Sequence, residues 1–203
     1  MTLPINWFDI LLVVVLASGV GYGRKRGLSE TLIPMIRALA IVFAATFLYL
    51  PIGKWLVSIS NFSLLFCRVA AYILIMITVW VIFIGLKRWL GGKLIGSDAF
   101  GKSEYYLGMP AGLVTFACFF LTALAILNAR YFTEKEIKAK DAYVKDVYGS
   151  DFFPGLYAAQ QSVFVESFTG PYIHKHAAIL LIEPTPSIVQ QFKQKEYEFP
   201  GSR

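Results

Sequence analysis

Apolar residues run through four stretches of the chain, at residues 7–23, 31–53, 63–86 and 107–129, with charged segments between them. No charged residue lies between Arg68 and Lys87, or between Glu104 and Arg130. A bilayer core about 30 Å thick is crossed by about 20 apolar residues of helix. The third and fourth stretches meet that length outright. A soluble helix keeps a polar face beside its apolar stripe, and residues 69–86 have none. The pattern predicts an all-α, polytopic membrane protein: four transmembrane helices within residues 1–130, then a short, partly helical tail over residues 131–203. In that tail Thr133 and Glu136 form a capping box that opens a charged helix to about Tyr148. The apolar but interrupted stretch 152–168 suits an amphipathic interfacial helix. Residues 177–182 are too few to cross.

Composition sharpens this picture. The chain is 57% apolar and 16% charged with a mean hydropathy of +0.60, whereas a globular chain is about 25% charged. The net charge of +6 is unevenly placed. From Arg130 onward nine Lys/Arg balance nine Asp/Glu, so the whole excess lies upstream. Arg24, Lys25 and Arg26 fill the first loop, and Lys87, Arg88, Lys93 and Lys102 the third, while the second has only Lys54. Short loops rich in Lys/Arg stay in the cytoplasm, which puts both termini outside. Because these charges flank apolar spans, they do not form the single basic stripe of a nucleic-acid site. The first span is no signal peptide: its basic cluster follows the apolar run instead of preceding it.

Cys67 and Cys118 each fall inside a span and read as buried structural thiols. His174 and His176, at i and i+2, suit one face of a strand, and with no third ligand nearby no metal site is expected. Arg37 lies inside the second span, about 10 Å of helix rise from Glu30; snorkelling or pairing with Glu30 is favoured over a transport role. Pro51 and Gly53 read as the end of that span. Asp9 and Arg68 fall at one depth, so they pair or each snorkel to external water. Gly108 and Gly112 have the G-x-x-x-G spacing that lets helices approach closely. Residues 96–103 satisfy the P-loop pattern G-x-x-x-x-G-K-S, but lack the strand–loop–helix setting that pattern needs. Asn61 opens a glycosylation-like triplet tight against a span. No catalytic constellation stands out.

Several of these motifs, in order, resemble the colicin V production (CvpA) family. They are Asn6-Trp7-Phe8-Asp9, a first helix ending Gly23-Arg24-Lys25-Arg26-Gly27 with Glu30 soon after, Glu104 leading Gly108-x-x-x-Gly112, and Ser150 to Pro154 in the tail. Tyr105 and Thr115 stand where the family carries basic residues. The resemblance spans residues 5–168. It implies a bacterial inner-membrane protein linked to colicin V production or export and to envelope homeostasis; because the sequence offers no catalytic group, a role through partners, without enzymatic activity or cofactor, is expected. The alternative is an oligomeric channel or transporter for small solutes or ions. The implied surroundings are the lipid bilayer, other inner-membrane proteins or further copies of the chain, and no nucleic acid. The candidate functional or structural residues are Asp9, Arg26, Gly27, Glu30, Arg37, Arg68, Glu104, Gly108 and Gly112.

Overall fold

The computed structural model describes residues 6–60, 62–94, 103–130, 132 and 156–185. The capping box at Thr133, Asn61 and nearly all of the P-loop-like match lie outside them; Ser103, the last residue of that match, opens a helix. Among the described residues there are helices and no strand, beyond one isolated bridge between Arg130 and Thr185.

Three elements are long and apolar enough to cross a membrane: α1 (Trp7–Ile59), α2 (Leu64–Leu94, apolar to Trp89) and α3 (Ser103–Leu127). α1 is broken at Gly27, whose φ of 73° and ψ of 174° are not helical. At 1.5 Å per residue the 53 residues of α1 would stretch about 80 Å if straight. Instead Phe8, Ala45 and Tyr49 lie in one core cluster. The two arms, residues 7–26 and 28–59, therefore fold back on each other as a helical hairpin. Both α2 and α3 pack on α1, and hardly on each other.

The helices run past the limits read from the sequence. α1 continues through Pro51 and Gly53 to Ile59. Pro51 leaves one carbonyl unpaired but does not stop the helix, and Gly53 serves packing: a Cβ there would lie 3.4 Å from the Arg68 Cα. α2 likewise continues beyond Lys87 and Arg88, and α3 starts a turn earlier than its apolar run.

After α3 the described chain resumes with α4 (Leu156–Gln161), a π-helical turn (Ser162–Glu166), α5 (Gly170–His176) and a 3-10 turn (Ala178–Leu180). His174 and His176 thus sit in the last turn of a helix, not on a strand, and the His174 ring meets Phe164 edge-on. These pieces enter the core. Val163, Phe164, Leu181 and Ile182 join Phe8, Tyr49, Tyr72 and Leu124 in the main cluster, with Ile182 wholly buried. Leu180 reaches a second cluster of Ala38, Val42 and Cys118. Both cysteines are buried free thiols, as the sequence suggested.

Candidate functional site

The closest helix contact is a seam of glycines. Gly19, Gly23 and Gly27 recur every fourth residue on α1, and Gly108 and Gly112 do the same on α3. Such spacing lines residues up on one helix face. The carbonyls of Gly19 and Gly23 lie against α3, and those of Gly108 and Gly112 against α1. A Cβ on Gly23 would strike the Gly108 carbonyl oxygen, and one on Gly108 the Gly23 carbonyl oxygen. Gly112 meets the Gly19 carbonyl in the same way, and a Cβ on Gly19 would lie 2.9 Å from the Gly112 oxygen. Backbone cannot swing aside as a side chain can, so these positions admit no side chain. Gly21, two residues from Gly19 and Gly23 and so on the other side of the helix, has open space around it.

The seam ends at the hairpin turn. Gly27 holds a positive-φ conformation essentially reserved for glycine. Its Cα faces Glu104, since a Cβ would lie 2.8 Å from the Glu104 Cγ. Glu104 accepts a hydrogen bond from the Ser29 N–H at 3.3 Å, placing a negative charge where the second arm begins. A carboxylate there complements the free N–H groups and dipole of a helix start. Thr31 donates to the Gly27 carbonyl at 2.6 Å. On the outside of the turn Arg26 pairs with Glu30 at 3.1 Å and lies over the Tyr22 ring at 4.5 Å.

At the opposite end the tail is fastened to the helices. Asn6 caps α1, and Asp9 completes a capping box by accepting from the Asn6 N–H. The same Asp9 carboxylate accepts from the Phe168 N–H, the Thr169 N–H (both 3.0 Å) and the Thr169 hydroxyl (2.6 Å). Asn6 and Trp7 both donate to the Ser162 hydroxyl. Arg68 donates to the Thr185 hydroxyl at 3.1 Å and lies 3.8 Å from the largely exposed Glu183 carboxylate. Thr185 N–H bonds the Ala129 carbonyl, and Asn128 donates to the Ile182 carbonyl. All the helices that reach this end therefore hold the tail.

The family described as colicin V production protein matches residues 8–169, most of the chain. The chain belongs to the colicin V production family. It is a membrane protein on that membership together with its three long apolar helices. No curated protein and no solved structure matches the chain.

The family's match covers both ends of the seam and the Asp9 clamp. Of the residues singled out from the sequence, Arg26, Gly27, Glu30, Glu104 and Gly108 come together at the turn, and Gly112 lies farther along the seam against Gly19 and Gly23. Asp9 and Arg68 lie at the other end and do not pair: each binds a different part of the tail. Glu30 is taken by Arg26 and not by Arg37. Arg37 is half-buried, and its Nε is buried with no hydrogen-bond partner among the described residues. Sequence reasoning missed Ser162, Thr169, Glu183, Thr185 and Asn128, and named Asn6 only within the family resemblance, without its capping role. Only Asn6 carried a readable signal, as the first residue of an Asn-x-x-Asp capping box.

Proposed function

We propose that this protein is a four-crossing inner-membrane protein of bacteria that supports production and export of a colicin V-type toxin, and envelope homeostasis, through partner proteins and without catalysing a reaction. Membership of the colicin V production family is the observation that carries this reading. The geometry supports it in a second way. Several of the charged groups that the fold gathers have structural partners: Asp9 and Arg68 hold the tail, Glu104 caps the second arm, and Arg26 pairs with Glu30. In a strain lacking the protein, secreted toxin is expected to fall, and the wild-type chain to restore it. Unchanged secretion without the protein would overturn the reading.

The two arms of α1 each supply a crossing in this reading, with α2 and α3 as the other two. The hairpin brings the basic residues 24–26 to the end opposite the tail, and α2 runs back toward that end with Lys87 and Arg88. Positive charge favours the cytoplasm, so the tail and both termini are periplasmic. Alkaline phosphatase fused after Arg203 is expected to be active, and a cytoplasm-only fluorescent reporter there to be dark. The reverse pair of results would invert the topology.

The exposed face of α2 carries Leu74, Ile77, Val81 and Ile82. It suits lipid or an apolar partner helix better than a water-filled lumen. Solute flux through liposomes containing the purified chain alone would favour the channel reading instead.

A further inference from the structure

The glycine seam has a consequence for the side chains just off its face. Gly23 touches Gly108, so the residues that follow them, Arg24 and Met109, flank the same groove. Tyr105 and Tyr106 stand one turn earlier on α3. Together these four line a cavity of about 360 Å³, open to the outside. That volume falls within the roughly 300–1,000 Å³ of ordinary ligand sites.

Arg24 is exposed and has no hydrogen bond, ion pair or ring contact among the described residues. Arg26, two residues on, has both an acid and a ring. Tyr105 and Tyr106 are 55% and 72% exposed, with no hydroxyl partner among the described residues. The cavity thus offers a guanidinium and phenol groups together with the Met109 thioether and tyrosine ring faces, and the exposed Leu113 stands one turn beyond Met109 on the same helix. The site lies about one turn from the Gly27 break, at the end of the apolar spans, where tyrosines sit at headgroup level.

We propose that this cavity binds an anionic phospholipid, with Arg24 on the phosphate diester and Met109 and the tyrosine rings against the glycerol and upper acyl chain. A guanidinium pairs with phosphate through charge-assisted hydrogen bonds. In the proposed topology, on which this inference rests, the cavity opens at the cytoplasmic side, where basic pockets beside membrane helices suit acidic headgroups. A free phosphate would leave the apolar groups of the cavity uncovered. A zwitterionic lipid would bring its own ammonium toward Arg24.

The test is native mass spectrometry of the full chain released from nanodiscs of mixed phosphatidylglycerol and phosphatidylcholine. Wild type is expected to retain phosphatidylglycerol preferentially. Arg24→Gln should lower that retention roughly fivefold to tenfold, and Arg24→Lys should restore part of it. Lys25→Gln, whose side chain does not line the cavity, should retain lipid as wild type does. The melting temperature of lipid-depleted Arg24→Gln is expected to match wild type, which separates lost binding from lost folding. Equal retention of both lipids, equal losses in the two Gln variants, or full competition by soluble glycerol phosphate would each overturn the proposal. The last result would assign the site to a free phosphate ester.

Discussion

Gly23→Ala is expected to destabilise the protein, while Gly21→Ala, two residues away on the same helix, is expected to leave it unchanged or slightly more stable. In a helix interior, alanine gains about 1 kcal/mol over glycine from propensity alone. At Gly21 nothing lies within reach of the new methyl group, so only that gain operates. At Gly23 the methyl group meets the Gly108 carbonyl and, 3.1 Å away, the Gly112 Cα. Both belong to backbone, so the helices must part along the whole seam. Overpacking of this kind costs roughly 1–3 kcal/mol, and loss of the neighbouring contacts adds to it. Gly112→Leu should be worse still. Thermal melting in one detergent, with the three variants side by side, reads the difference. Equal melting temperatures for Gly21→Ala and Gly23→Ala would mean that the seam is not tight.

The second large effect is expected at Asp9, which is 8% exposed and accepts four hydrogen bonds. Asp9→Ala removes the capping box and leaves the Phe168 and Thr169 N–H groups without their acceptor. Hydrogen bonds to charged groups contribute roughly 1.5–3 kcal/mol each, though not additively. The loss should therefore be at least about 2 kcal/mol. Its first sign is release of the tail, read as faster proteolysis within residues 156–185 with the membrane helices still protected. Double-mutant cycles locate the bond. Asp9 and Thr169 should couple, as should Arg68 and Thr185, while Asp9 and Arg68 should be additive. Coupling between Asp9 and Arg68 would restore the ion pair that the geometry denies.

That pair shows where sequence reasoning stops. The apolar spans were legible because lipid-facing helices need no polar face, so charge-free runs mark them directly. The G-x-x-x-G spacing of Gly108 and Gly112 was legible too, because periodicity alone puts both on one face. Depth could be inferred for Asp9 and Arg68, but the direction each faces around its helix could not. Each found a closer partner in residues 162–185, whose broken pattern gave no fixed register to count from. Pro51 and Gly53 misled for a similar reason. Both are terminators in water, yet a helix packed along another tolerates one missing hydrogen bond. Gly53 there lets the Arg68 backbone approach. The hairpin at Gly27 was half legible: the basic cluster marked a loop, but helix resumes at once beyond a single glycine.

Ile182 and Phe8 share one core although almost the whole chain separates them. During synthesis the membrane helices leave the ribosome first, and the residues near 163–182 that complete their packing leave after them. In the proposed topology those later residues must also cross the bilayer before they can dock. Until then Tyr49, Tyr72 and Leu124 have an unfilled face. The half-made protein is thus marked, on the periplasmic side, by the apolar surface that the finished one conceals. Envelope proteases that scan for such surface would distinguish interrupted chains from complete ones without reading any tag.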